Sequence, residues 1–166
     1  MLSATNCSTQ TPKLRIGGEA VLRLGNTVRE IAQEKAGIIK QDIPVVSSPQ
    51  KDEALNVLLR VAKEKNAAFT LVGHDVTFMR TYHSLGGQAL QIQTFYWAAL
   101  NESFEPEAER RSKRRMLNLQ IPLLGLHQVE NAATAYAALK LSGLKIADEF
   151  IARGFSLVRW PARFEI

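Results

Sequence analysis

The 166-residue sequence has little cysteine and no long apolar run. Cys7 is the only cysteine, so no disulfide can form within the chain, and a reducing compartment is the natural setting. No apolar stretch approaches the roughly 20 residues that span a bilayer as a helix. The residues after Met1 do not follow the pattern of a secretory signal peptide. These absences argue against a disulfide-rich secreted domain and predict a soluble, cytoplasmic protein.

Several sequence signatures of catalysis are also missing. The chain has no G-x-x-x-x-G-K-[ST] phosphate loop, no G-x-S-x-G nucleophile elbow and no zinc-type spacing of cysteine and histidine. Its histidines, His74, His83 and His127, are far apart, and each is more typical of a surface or packed histidine than of a metal ligand. No short catalytic motif in the sequence therefore assigns a reaction to the chain.

What is present is a globular composition with a basic excess. Hydrophobic residues make up 46% of the chain and charged residues 22%, with a net charge of +5. This charge is compatible with an anionic ligand such as a nucleotide phosphate, but also with simple solubility. A basic run at 110–115 directly follows acidic residues at 102–109, and no aromatic residue interrupts it. The mixture favours a solvated loop over a nucleic-acid surface.

The hydrophobic pattern predicts an α/β fold. Helical and extended segments alternate in the first half, which favours a parallel sheet with flanking helices. A hairpin and a further strand predict a smaller antiparallel section, and helices return after it. The predicted segments are a helix within Leu24–Lys40, a strand at Ile43–Ser47, a helix at Gln50–Lys65, strands at Phe69–Val72, Val76–Tyr82, Gln88–Trp97 and Leu117–Leu123, a helix from His127 to a stop at Gly143, and a helix from Ile146 that ends near Gly154.

The first helix carries a lysine where apolar residues are expected. Thr27 and Glu30 have the spacing of a capping box, and Gly37 suits a left-handed helix stop. Lys35 falls on the i, i+3, i+4, i+7 stripe that starts at Val28, so it is expected to share a face with core residues. Such a lysine either snorkels to water or, if buried, needs neutralisation by loss of its proton, a carboxylate partner or covalent modification.

Three ordered segments resemble a known family. LGNTVREIAQEKAGIIK followed by IPVV, then LLGLHQVENAATAYAAL, and finally RWPARFEI are similar to the folylpolyglutamate synthase and dihydrofolate synthase family of Mur-type ligases. The resemblance implies that residues 1–166 form a single partial domain, the C-terminal half of the central ATP-binding domain of a Mur ligase. The half with the phosphate loop and the C-terminal ligase domain would then be absent.

The resemblance also implies a function. Members of the family use ATP and Mg²⁺ to add L-glutamate to folate or dihydropteroate through an acyl phosphate, so small-molecule substrates are expected rather than nucleic acid or membrane. Lys35 matches the family lysine that carries a carbamate and ligates magnesium, which gives it a catalytic and a metal role. Asn131 matches the asparagine that contacts the nucleotide base, and Arg163 matches the arginine that reaches ATP.

The sequence departs from the family pattern ahead of the first helix. Glu19, Ala20 and Val21 stand where the family has an Asp-His-Thr-like segment whose histidine binds magnesium, and alanine cannot bind a metal. The alternative to an active ligase is therefore a catalytically inactive remnant or fragment, at most a weak nucleotide binder. Such a fragment would need the missing domain halves or would associate with itself.

Overall fold

A computed structural model describes residues 27–94 and 115–159. The elements of its first part are α1 (Val28–Ala36), β1 (Val45–Ser47), α2 (Asp52–Glu64) and β2 (Phe69–Leu71). The second part holds β3 (Val76–Ser84), β4 (Gly87–Thr94), β5 (Arg115–Ile121), α3 (Leu126–Leu141) and α4 (Asp148–Ser156). In the described part of the chain, no helix combines the length and the apolar character needed to cross a membrane.

Strands β1 and β2 form a parallel pair that separates two apolar clusters. Val45 pairs with Phe69, and Ser47 pairs with Leu71. Because alternate residues of a strand point to opposite faces, Val45 packs with α1 and α2, whereas Val46 packs with the larger cluster that contains α3. The predicted parallel sheet with helices on its faces is confirmed.

The predicted capping box of α1 and its end at Gly37 are confirmed, but the left-handed conformation expected of Gly37 is not. The amide of Glu30 donates to the Thr27 hydroxyl at 3.1 Å, and the amide of Thr27 donates to the Glu30 carboxylate at 3.2 Å. Gly37 has φ −61°, which is right-handed rather than left-handed. The chain continues into a turn in which the amide of Ile39 donates to the carbonyl of Ala36, and this turn returns Ile39 to the core.

Lys35 does not share a face with the core residues as its spacing predicts, and its side chain is exposed to water. Helix α1 buries only Ala32 and Ala36 among its nine residues, and Val28 is 38% exposed. The buried part of α1 is therefore centred on two alanines four residues apart, and Lys35 lies beside it. Because α1 meets its neighbour along a narrow seam rather than a broad apolar face, Lys35 lies outside the contact.

Helix α2 is also rotated relative to the sequence prediction. The helical spacing predicts five inward residues, Ala54, Leu55, Leu58, Leu59 and Ala62. The two alanines are buried, but Leu55 and Leu58 are only half-buried, and Val57 and Val61 are buried instead. Leu59 is 42% exposed. The helix touches both α1 and the parallel strands, so its buried surface is centred on its smaller side chains.

The second half is an antiparallel sheet covered by α3 and α4, as predicted. The strand order is β3-β4-β5, and the register shifts between Arg80 and Tyr82. Inward residues of β4 alternate with outward ones, and the fully buried Leu90 and Ile92 contribute to the larger cluster. The predicted end of β4 at Trp97 lies outside the described residues. The last helix ends at Ser156, two residues after the predicted stop near Gly154.

Candidate functional site

The loop before α3 is shaped by Gly125. This residue has φ +102°, a conformation that favours glycine. A Cβ atom placed there would lie 2.6 Å from Cε1 of His127. Helix α3 has no side-chain cap, but the amide of Gln128 donates to the carbonyl of Gly125 at 3.0 Å. The first turn of α3 is thus closed onto the preceding loop by backbone contacts.

Gln88 holds this loop against the sheet. Its side chain is on the inward face of β4, and the residue is only 3% exposed. Nε2 donates to the carbonyls of Leu123 at 2.7 Å and Gly125 at 3.0 Å, while Oε1 accepts from Nη1 of Arg80 at 3.3 Å. Carbonyls only accept and a guanidinium only donates, so these partners fix the orientation of the amide. A buried polar side chain with all these partners is a rigid anchor.

Asn131 lies on the exposed side of α3, one turn after this loop. Its Nδ2 donates to Oε1 of Gln128 at 3.3 Å, and Gln128 is only 7% exposed. Among the described residues, no hydrogen bond engages Oδ1 of Asn131. The carboxamide therefore presents a carbonyl oxygen and a second N–H outward. A planar donor and acceptor pair of this kind is suited to the edge of a nucleotide base.

An open depression of about 410 Å³ lies beside the same loop. It combines apolar walls with the side chains of Arg80 and His83, so a ligand with an apolar body and a negative group fits its chemistry. Its lining residues are Arg80, His83, Ser84, Leu85, Gln88, Leu124 and Gly125.

Lys35 lies in different surroundings from Asn131. It is on α1, which packs in the smaller cluster, whereas α3 packs in the larger one. The side chain of Lys35 makes no hydrogen bond or ion pair with another residue of 27–94 or 115–159. These same residues contain no group of three or more His, Cys, Asp or Glu that could hold a metal ion. The magnesium role of Lys35 stays a prediction, and Arg163 lies outside the described residues.

A polar cluster joins the far end of α3 to α4. Nζ of Lys140 donates to Oδ1 of Asp148 at 3.0 Å, and the Tyr136 hydroxyl donates to the same oxygen at 3.5 Å. Burial, followed by the charge and the hydrogen bond of Asp148, raises the pKa of Tyr136 to about 12, and Arg115 opposes this rise. The cluster connects two helices and lies away from Asn131, so it has a structural role.

Sequence reasoning missed Gln88 and gave Gln128 no separate role. A signal for Gln88 existed, because Gln88, Leu90, Ile92 and Thr94 share the inward register of one strand and a glutamine there needs buried partners. No local pattern reveals those partners, since Leu123 and Gly125 come 35 and 37 residues later.

Comparison with solved structures identifies the class of fold. The described fold resembles a folylpolyglutamate synthase from Thermotoga maritima, with a TM-score of 0.67 and 28% identity over 84% of this chain and 29% of that one. It is similar also to a Mycobacterium tuberculosis folylpolyglutamate synthase complexed with ADP, with a TM-score of 0.66 and 26% identity over 86% of this chain and 29% of that one. The class is therefore an α/β segment of the folylpolyglutamate synthase type.

Sequence comparison gives the particular family. The chain is 32% identical over 155 residues to the dihydrofolate synthase/folylpolyglutamate synthase of Bacillus subtilis, which covers 91% of this chain and 32% of that protein. No protein-family model matches. The predicted resemblance to the folylpolyglutamate synthase and dihydrofolate synthase family is confirmed. The chain spans about a third of the length of these relatives.

Proposed function

We propose that this chain supplies the nucleotide-contacting segment of an ATP-dependent ligase that joins L-glutamate to folate or dihydropteroate. The observation that carries the proposal is the 32% identity over 155 residues to a dihydrofolate synthase/folylpolyglutamate synthase. The ADP complex of the M. tuberculosis neighbour supports a nucleotide ligand for this fold. The outward carboxamide of Asn131 supplies donor and acceptor groups for the base.

The proposed reaction has two steps. A carboxylate oxygen of the folate or pteroate substrate bonds to the γ-phosphorus of ATP as the bond from that phosphorus to the ADP oxygen breaks. The glutamate amine then attacks the acyl phosphate, loses a proton and expels inorganic phosphate from a tetrahedral intermediate. In this reaction Asn131 holds the base, and Arg163 would add a forked cation to ATP.

Lys35 is proposed as the carbamate carrier and as one magnesium ligand. Its exposure leaves the Nζ atom open to carbon dioxide, whose carbon bonds to the neutral amine to form the carbamate as one proton is released to water. The described residues do not complete a metal site with it. The second candidate function is a nucleotide-binding segment without ligase activity, and its basis is Ala20, which stands where the family has a magnesium-binding histidine.

Nucleotide binding by the chain tests the proposal directly. Saturation-transfer NMR with ATP detects weak binding, and we expect Asn131→Ala to weaken it by about tenfold, the worth of a good hydrogen bond. Asn56→Ala is the matched control, because Asn56 is another exposed helical asparagine on α2. Wild-type protein that does not bind ATP, or equal binding by Asn131→Ala, would contradict the proposal.

A product assay separates the two candidate functions. The chain is incubated with ATP, Mg²⁺, glutamate and either dihydropteroate or tetrahydrofolate, and glutamylated product is measured by mass spectrometry. We expect ATP binding without product from this chain alone. Product above a heat-inactivated control would instead assign the complete ligase reaction to it.

A further inference from the structure

The register shift in β3 places two basic side chains on the same face of the antiparallel sheet. Arg80 pairs with Leu90, and after the shift His83 pairs with Gln88. On a regular strand, residues three apart point to opposite faces, because successive side chains alternate. The extra residue at the shift interrupts this alternation, so Arg80 and His83 both lie opposite inward residues of β4. Both side chains line the open depression beside Gly125.

Gln88 fixes the position of the Arg80 guanidinium at this depression. Both N–H groups of the Gln88 amide are used by the carbonyls of Leu123 and Gly125, so Oε1 is left to accept from Nη1 of Arg80 at 3.3 Å. The anchor is firm because Gln88 is only 3% exposed. This bond uses one N–H of the guanidinium, and the remaining N–H groups stay available to a second partner.

The charge of Arg80 has no opposite charge beside it in the described part of the chain. No carboxylate of residues 27–94 or 115–159 forms an ion pair with it, whereas Arg60 on α2 pairs with Glu64 at 3.9 Å. The residues that line the depression include no aspartate or glutamate. A fixed guanidinium in such surroundings is suited to a carboxylate, which its planar fork can bind through two hydrogen bonds.

The walls of the depression are aliphatic. Leu85, in the hairpin turn, is 77% exposed, and Leu124 comes from the loop before α3. An alkyl chain laid against these two side chains would remove apolar surface from water. No aromatic residue lines the depression, so nothing there favours a stacked ring. Its volume of about 410 Å³ is within the range of small-molecule sites.

We propose that this depression binds a small aliphatic carboxylate, with the carboxylate on Arg80 and His83 and the alkyl chain against Leu85 and Leu124. A single guanidinium matches the charge of a carboxylate better than that of a phosphate dianion. The inference adds a second class of ligand to the chain and does not depend on ATP binding or on Asn131.

NMR titration with hexanoate tests the proposal. We expect saturable shifts of the Gly125 backbone amide and of the Gln88 side-chain amide, which border the depression. Arg80→Met should weaken hexanoate binding by about tenfold or more, since it removes charge-assisted hydrogen bonds. Arg80→Lys keeps the charge without the fork and should bind with intermediate affinity. His83→Leu removes one further donor and should weaken binding by about threefold.

Three other probes separate the contributions of charge and of the alkyl chain. Acetate has the carboxylate without the chain, 1-hexanol has the chain without the charge, and inorganic phosphate has more charge and no chain. We expect each to bind at least about threefold more weakly than hexanoate, because each lacks one of the two contacts.

The matched control is Arg60→Met. Nη2 of Arg60 donates to Oε1 of Gln33 at 2.6 Å, so Arg60 forms the same kind of arginine–glutamine pair on another surface. Its replacement removes the same net charge and should leave the hexanoate affinity unchanged. Equal weakening by Arg60→Met and Arg80→Met would reduce the effect to net charge and overturn the proposal.

Other results would overturn it as well. These are shifts that do not saturate, hexanoate that binds no more tightly than acetate or 1-hexanol, and displacement of hexanoate by ATP, which would make the depression part of the nucleotide site. The proposed function is judged separately, by ATP binding and its dependence on Asn131. A chain that binds ATP but not hexanoate loses only the carboxylate site, and one that binds hexanoate but not ATP loses only the proposed function.

Discussion

The two candidate residues that the structure describes differ in what lies beneath them. Lys35 is on a helix that buries only two alanines, and no described residue bonds to the Lys35 side chain. Asn131 is on a helix packed into the larger cluster, and Gln128 ties its side chain to the buried loop. An exposed side chain has a defined geometry only where its own element supplies partners. The second half of the described molecule therefore provides the more ordered site.

The largest effect that we predict is for a cavity in the larger cluster. Leu90 is fully buried at the centre of the antiparallel sheet, and Leu90→Ala should lower the free energy of unfolding by about 3 kcal/mol. Val57→Ala in the smaller cluster removes less apolar volume and should cost about 1 to 2 kcal/mol. Urea denaturation of both variants measures the two losses in the free energy of unfolding. Equal losses would contradict the expectation that the cost follows the apolar volume removed from each cluster.

We expect Tyr136, in the second half of the described molecule, to make the free energy of unfolding depend on pH. The pKa of Tyr136 is raised to about 12 in the folded protein. The contribution of its protonated hydroxyl to the free energy of unfolding is therefore complete below pH 10 and is lost as the pH rises toward 12. We expect the free energy of unfolding to fall by up to about 1.4 kcal/mol per pH unit in this range. Tyr136→Phe should remove this part of the slope, whereas Tyr82→Phe, at a residue 62% exposed, should not.

Gly125→Ala tests the loop that begins α3. The left-handed conformation of Gly125 is strained for alanine, and we expect a loss of about 1.5 kcal/mol in the free energy of unfolding, together with weaker ATP binding. Gly154→Ala is a suitable control, because Gly154 is inside α4 and an added Cβ atom would meet nothing within 4 Å. That control should be neutral or slightly stabilising. A stable Gly125→Ala variant with unchanged ATP affinity would contradict the role of the loop.

Local sequence patterns predicted the elements better than the faces they bury. The capping box at Thr27, the hairpin and the helix through Asn131 depend on neighbouring residues, so they could be recognised in the sequence. The exposure of Lys35 and Leu59 depends on how α1 and α2 pack together, which periodicity alone does not determine. Gln88 and its partners are 35 or more residues apart, and only the folded chain brings them together.

The smallest effect on stability is expected at Lys35. Because its side chain is exposed and has no described partner, Lys35→Met should change the free energy of unfolding by less than about 0.5 kcal/mol. A carbamate at Lys35 would appear as a carbonyl signal in ¹³C NMR after addition of labelled bicarbonate, and Lys35→Met would remove that signal. Lys40→Met, at another exposed lysine, should leave it in place. A signal that persists in Lys35→Met would place the carbamate elsewhere. A neutral stability effect combined with loss of the signal would identify Lys35 as a residue retained for chemistry rather than for folding.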